Sequence, residues 1–345
     1  MMRVLFICIL LLIGIPSAAN SKQEVFEFEF EGVRLNGILN FPTDSIPKGI
    51  VLIVHGSGQT NAVAQNWYSD VRESILLSGY ATYMWDKMGC GASGGRFDYN
   101  QTVYNSALEV IAAIMALKEN KVAGSSAIGL WGISRAGWIN PIVIREYKDI
   151  KFWISVSGVD GQENFKYLLA ENLKINGHPP DSVDLLVNEW LMGTKITHAG
   201  GSFEAYRQAT THLAKNPFWL RFTNGGISEQ GFYTYQQTFK KEVLDPETGL
   251  QVYIEDFGSI LSGITCPVLA VFGENDRNVD WTKTKRLYEN TLGKNTDLSV
   301  VSFPNCNHNL FQGQTGGFYE MEDGNLPYTR CIDFLDAMEA WLAKI

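Results

Sequence analysis

Residues 127–138 carry the strongest constraint on how this chain folds. Ala127-Ile128-Gly129-Leu130-Trp131 reads as a buried strand, and a helix is expected from about Ala136, which leaves Gly132-Ile133-Ser134-Arg135 as the turn between them. A strand that meets a helix across so few residues makes a sharp corner, and small residues at Gly132 and Ala136 let the two backbones pass closely. The same corner lifts the Ser134 hydroxyl clear of the sheet. A serine hydroxyl is a weak nucleophile unless a base takes its proton, so the corner has chemical meaning only if a histidine and an acid join it.

The flanking sequence supplies the rest of a layered architecture. Residues 50–54, Ile-Val-Leu-Ile-Val, form a continuous apolar run of the kind buried on both faces of a sheet. Similar short runs occur at 80–85, 152–156 and 268–272, a further strand is read at 298–303, and 25–30 and 35–41 read as a pair of half-buried strands. Helical spacing lies between them: Trp67, Val71 and Ile75, then 103–117, 136–147, 282–292 and a last helix from about 330. Strands alternating with helices predict a mostly parallel central sheet with helices on both faces, and they place reactive groups in the loops beyond the carboxyl ends of the strands. From 160 to 263 the alternation stops. That stretch is helical and aromatic, with Phe165, Trp190, Tyr206, Trp219, Phe232 and Phe239, and it reads as an insertion capping the site.

The N-terminus reads as an address. Arg3 precedes an apolar run from Val4 to Ile15 and the small residues Ser17-Ala18-Ala19, so 1–19 is expected to be a signal peptide. A run that short cannot span ~30 Å of hydrocarbon. The mature chain is therefore expected to be exported, periplasmic or secreted, with no stable membrane insertion. It retains Cys90, Cys266, Cys306 and Cys331, for which an oxidising compartment permits three pairings. The formal net charge of −9 argues against nucleic acid as a partner.

The other members of a catalytic set follow in order. Gly273-Glu274-Asn275-Asp276 comes after the strand at 268–272, and Asn305-Cys306-Asn307-His308 after the strand at 298–303. Of the five histidines, at 55, 178, 198, 212 and 308, only His308 lies in a loop downstream of that acid. Asp276 is the expected orienting carboxylate, with Glu274 and Asp280 as alternatives. His55-Gly56-Ser57-Gly58 follows the strand at 50–54, where a backbone N–H can point inward. The N–H groups of Ser57 and Arg135 are the expected oxyanion donors, and His55 is expected to hold the loop. Asp86 to Ser93 reads as a loop flanking the site.

With these residues in place, the chain resembles the α/β-hydrolase superfamily, and within it the bacterial serine esterases and serine-peptidase-like hydrolases with a His-Gly-Ser-Gly loop. Gly129-Leu130-Trp131-Gly132-Ile133-Ser134 is similar to their nucleophile segment, with Ala136 in place of a usual glycine. Asp86 to Ser93 is similar to their Asp-x-Arg-Gly-x-Gly-x-Ser element, with Met88 in place of arginine. The resemblance implies an α/β-hydrolase core at 20–159 and 264–345, a helical cap at 160–263, and a Ser134, His308, Asp276 relay without metal or other cofactor. The expected activity is hydrolysis of carboxylic esters through an acyl-enzyme, on a small-molecule ester or short acyl or peptide substrate, with the aromatic insertion forming an acyl or aryl pocket. A peptidase acting at peptide N-termini is the alternative. It would need an acidic pair for the substrate amine, drawn from Glu189, Glu204, Asp181 and Asp184. A binding protein on the same scaffold is a third reading.

Overall fold

The computed structural model describes residues 22–43, 45–162, 164–238, 254–324 and 326–345. The expected signal peptide, most of Phe239's neighbourhood in the insertion and Phe239 itself lie outside the described residues. Among the described residues, eight strands form one sheet: β1 (Lys22–Phe30), β2 (Val33–Phe41), β3 (Ile50–Val54), β4 (Ala81–Trp85), β5 (Ile128–Ile133), β6 (Ile150–Val156), β7 (Val268–Gly273) and β8 (Leu298–Phe303). Their spatial order is β1-β2-β4-β3-β5-β6-β7-β8. β2 runs antiparallel to β1 and β4, and every later pairing is parallel. The parallel pairs align the carboxyl ends of β3, β5, β7 and β8 along one edge.

The core layers follow from strand periodicity. In β3, Ile50, Leu52 and Val54 face one apolar layer while Val51 and Ile53 face the other. In β7, Val268, Ala270 and Phe272 take the first side, and Leu269 and Val271 the second. A strand buried on both faces has no polar positions, which is why its sequence does not alternate. The helices are α1 (Ser69–Leu77), α2 (Val103–Glu119) and α3 (Ala136–Glu146) in the first half. Between β6 and β7 come α4 (Phe165–Ile175), α5 (Pro180–His198), α6 (Phe203–Ala209), α7 (Pro217–Phe222), α8 (Glu229–Thr238) and α9 (Phe257–Ser262). Beyond β7 are α10 (Trp281–Thr291), α11 (Glu320–Asp323) and α12 (Phe334–Leu342). α2 and α3 cover the first face, and α1 and α12 pack together over the second.

Two helix starts differ from the spacing. Trp67 lies outside α1, because Asn66 and Tyr68 both have positive φ (53°) and turn the chain before the helix begins at Ser69. The last helix begins at Phe334 rather than near Arg330. Cys331 is bonded to Cys306, and Asp333 has φ 63°, so the segment is committed to a loop until there. The other mature cysteines, Cys90 and Cys266, are free thiols. The insertion has its own apolar cluster, with Leu169, Leu173, Leu186, Trp190, Leu213 and Trp219 buried against one another.

Candidate active site

Ser134 sits at the corner between β5 and α3 with φ 57°. A non-glycine residue in the left-handed region costs roughly 1–2 kcal/mol, which the surrounding packing must offset. The corner is held on both sides: Ser134 N–H donates to Val156 O at 3.0 Å, and Gly137 N–H donates to Ser134 O at 2.7 Å. Small residues are required here. A Cβ on Gly132 would lie 2.5 Å from Asn140 Nδ2 and 2.6 Å from the Ala136 methyl, and one on Gly137 would lie 2.9 Å from the Gly158 Cα. Alanine at 136 is tolerated because Gly132 faces it. Ser134 is half-buried, and its hydroxyl makes no hydrogen bond among the described residues, to His308 or to any other group.

Asp276 and His308 come together. Asp276 is fully buried just past β7, and its Oδ1 accepts N–H groups from Asn278 (2.8 Å) and Val279 (2.9 Å). Its Oδ2 is 2.7 Å from His308 Nδ1. An ionised carboxylate is acceptor-only, so Nδ1 carries the proton in the neutral ring and Nε2 keeps its lone pair. The two alternative acids are used elsewhere: Glu274 accepts from Ser302 Oγ at 2.8 Å, and Asp280 caps α10 through the N–H groups of Thr282 and Lys283.

The His308 loop turns back over the end of β7. A Cβ on Gly273 would lie 2.4 Å from both Cys306 O and Asn307 O, and Asn275 N–H donates to Cys306 O at 2.9 Å. Arg330 then ties the loop to the start of α1, donating to Asn309 O at 2.7 Å and pairing with Asp70 at 2.5 Å. The Cys306–Cys331 disulfide anchors the same loop two residues before the histidine.

The loop after β3 packs against Ser134. A Cβ on Gly56 would meet Ser134 Cβ at 3.2 Å and Oγ at 3.8 Å, so the backbone beside Ser57 passes close to the hydroxyl. His55 is structural: Nε2–H donates to Trp85 O at 2.7 Å, and the ring stacks on Tyr68. Burial, with help from nearby Lys87, pushes its pKa down to about 3, so the ring is neutral.

The flanking loop is built around Asp86, whose Oδ1 accepts from Ala62 N (2.6 Å), while its carbonyl accepts from Ser93 Oγ (2.6 Å). Gly91 fits against the carboxylate; a Cβ there would lie 2.0 Å from Oδ2. Lys87 was not legible as part of the site. Its Nζ donates to Gly56 O at 2.6 Å and Gly58 O at 2.8 Å, a long-range contact with no local sequence signal. Arg135 starts α3, and its side chain turns inward to Ser106 Oγ (3.0 Å) and Gln101 O (2.7 Å). Arg277 donates to Thr315 O at 3.2 Å.

Of the acids weighed for a substrate amine, Glu189 is committed to His212 Nδ1 (2.6 Å) and to the N–H groups of His212 and Leu213. Glu204 is exposed beside Arg207 and Gln208. A cavity of about 430 Å³ opens within the insertion, lined by Trp190, Tyr206, Trp219, Phe232 and several threonines. None of Ser57, Ser134, Arg135, Asp276 or His308 lines it. Among the described residues, no three or more His, Cys, Asp or Glu side chains are grouped for a metal ion, and no helix is long and apolar enough to cross a membrane.

The dienelactone hydrolase family model matches residues 259–338, a segment that contains both Asp276 and His308. No curated protein matches the chain in sequence. Among solved structures, the chain is similar to the Pyrococcus furiosus esterase Pf2001, at 17% identity and TM-score 0.53, covering 96% of this chain and 94% of that one. It is also similar to a Mycobacterium smegmatis proline iminopeptidase, at 17% identity and TM-score 0.54, covering 93% and 98%. A third is an alpha/beta hydrolase fold protein from Chitinophaga pinensis, at 16% identity and TM-score 0.50, covering 95% and 99%. Sheet order, crossover pattern and these likenesses together give one conclusion: the chain has the α/β-hydrolase fold.

Proposed function

We propose that the chain is an exported serine hydrolase that cleaves carboxylic esters of small molecules. The observation that carries this reading is a buried Asp276–His308 pair at the same sheet edge as a serine held at positive φ on a strand-to-helix corner. In the proposed reaction, Ser134 Oγ attacks the ester carbonyl while His308 Nε2 takes its proton. Asp276 keeps the ring in the Nδ1–H form and stabilises the imidazolium. The N–H groups of Ser57 and Arg135 receive the oxyanion, and each such donor is worth ~3 kcal/mol in the transition state. Collapse of the tetrahedral adduct passes the proton to the leaving alcohol. A water activated by His308 then releases the acid. The contact between Nε2 and Oγ forms with substrate bound, as catalytic hydrogen bonds commonly tighten only in the complex.

Three further observations support the reading. The dienelactone hydrolase match spans the acid and the histidine, and a protein sharing the fold bears the name esterase. Helices α4, α5 and α7 form a separately packed cluster suited to a cap, here assigned to 160–263, while α9 packs on the main core through Phe257 and Leu261. Export is supported by the apolar N-terminal sequence and by the Cys306–Cys331 disulfide, which persists in oxidising compartments. Glu189, committed to His212 and Leu213, is one acid fewer for holding a peptide N-terminus.

The test is hydrolysis of p-nitrophenyl butyrate and of an aminoacyl p-nitroanilide by wild type and Ser134→Ala. The proposal expects turnover of the ester above the anilide, and loss of several powers of ten in a Ser134→Ala protein that still folds. Equal turnover by the two proteins rules out the proposed nucleophile.

A further inference from the structure

We propose that Lys87 is a positioning residue for hydrolysis, its ammonium holding the Gly56–Ser57 peptide so that the Ser57 N–H faces the oxyanion. This inference rests on the reading of Ser57 as an oxyanion donor.

The geometry is that of a single peptide plane. Lys87 Nζ donates to Gly56 O at 2.6 Å and to Gly58 O at 2.8 Å, bracketing Ser57. The Gly56 carbonyl and the Ser57 N–H belong to the same peptide unit, and all peptide bonds among the described residues are trans. In a trans unit the C=O and N–H vectors are antiparallel, so fixing the oxygen on Lys87 fixes the N–H pointing the opposite way. A Cβ on Gly56 would meet Ser134 Cβ at 3.2 Å and Oγ at 3.8 Å, so the loop that carries this peptide packs against the Ser134 corner. Glycine at 56 and 58 leaves this loop conformationally free, so a non-local clamp is needed to hold one orientation. Hydrogen bonding at the carbonyl also polarises the unit and strengthens its N–H as a donor. The loop bearing Lys87 is itself anchored, because Lys87 N–H donates to Thr60 Oγ1 at 2.9 Å and Asp86 holds Ala62.

The charges around the ammonium make the clamp pH-sensitive. It faces Arg135 from the start of α3, Glu109 from α2, Cys90 from its own loop and neutral His55 from the end of β3. Burial above all, and Arg135 after it, lower the Lys87 pKa while Glu109 and Cys90 oppose the fall, and together they leave it at about 8. The ammonium is therefore present below about pH 8 and lost above it.

The experiment compares wild type, Lys87→Met and Lys87→Arg on p-nitrophenyl butyrate, with Ser134→Ala as the blank and melting temperature as the folding control. For Lys87→Met the inference expects kcat to fall about 10- to 100-fold with KM nearly unchanged, part of the about 10²–10³-fold that losing a donor costs. Lys87→Arg, which keeps the charge and two donors, should recover most of kcat. In wild type kcat should fall as pH rises through about 8, whereas Lys87→Arg should show no such fall up to pH 10. Wild-type kcat in Lys87→Met, or a loss lying wholly in KM, overturns the inference while leaving the serine mechanism standing. If Lys87→Met does not fold, the pH profiles decide, and superimposable profiles for wild type and Lys87→Arg overturn it. A wild-type protein no faster than Ser134→Ala removes the serine mechanism and this inference together.

Discussion

Replacing Asp276 by asparagine changes one heavy atom and should nearly abolish turnover. The Oδ1 position accepts two backbone N–H groups, from Asn278 and Val279, at 2.8 and 2.9 Å. An asparagine that put its NH₂ there would face two donors and lose both hydrogen bonds, each worth about 1 kcal/mol and more when the buried donors are left unmet. The amide oxygen therefore stays at Oδ1, and the NH₂ faces His308 Nδ1, now 2.7 Å from Oδ2. Nδ1 must then accept, which moves the ring proton to Nε2. A ring protonated on Nε2 cannot take the Ser134 proton. The analogous tautomer reversal in serine proteases costs about 10⁴ in kcat, equivalent to about 5 kcal/mol of barrier. Because every backbone donor keeps its acceptor, the melting temperature should stay close to wild type. The assay is kcat on p-nitrophenyl butyrate at saturating substrate, with thermal unfolding in parallel. A folded Asp276→Asn protein within tenfold of wild-type kcat would refute the role assigned to this carboxylate.

The remaining expectations concern stability. Gly132→Ala places a methyl 2.5 Å from Asn140 Nδ2 and 2.6 Å from the Ala136 methyl, and should destabilise by about 1–3 kcal/mol; unchanged urea unfolding would contradict the packing argument. Cys331→Ser removes a crosslink with a sequence separation of 25, which chain entropy values at about 3.5 kcal/mol, and wild type under reductant should show a similar fall in melting temperature. His55 has a folded pKa of about 3 against 6.5 unfolded, so the unfolded state binds the extra proton as pH falls below 6.5. Its contribution is thus whole above pH 6.5 and lost on acidification, by about 2 kcal/mol between pH 7 and pH 5. His55→Gln should show that much less acid sensitivity in urea titrations, and equal sensitivity would count against a buried neutral ring.

What the sequence made legible was set by local rules. β3 at Ile50–Val54 matches its apolar run residue for residue, because burial on both faces leaves little ambiguity; β8 also keeps its expected bounds, although as the edge strand it is only half-buried until Phe303. The Ser134 corner was readable because a strand, a helix and small residues at Gly132 and Ala136 all bear on one short segment. Asp276 could not be separated from Glu274 and Asp280 by position, since the difference lies in which carboxylate reaches His308 Nδ1. The start of α12 was misjudged because its determinant is a disulfide partner 25 residues away. Lys87 escaped for the same reason, its partners lying some thirty residues earlier in the chain. The aromatic residues of the insertion were visible as a group, but in the structure they pack on one another around a cavity that the Ser134 site does not line.

The most direct measurement is the site of covalent capture by a fluorophosphonate, read by intact mass and peptide mapping on the folded chain. An activated Ser134 should take up one adduct, mapped to the peptide containing that residue, with labelling lost in His308→Gln. An unmodified wild-type protein, or an adduct elsewhere that is indifferent to His308, would contradict the account at its base.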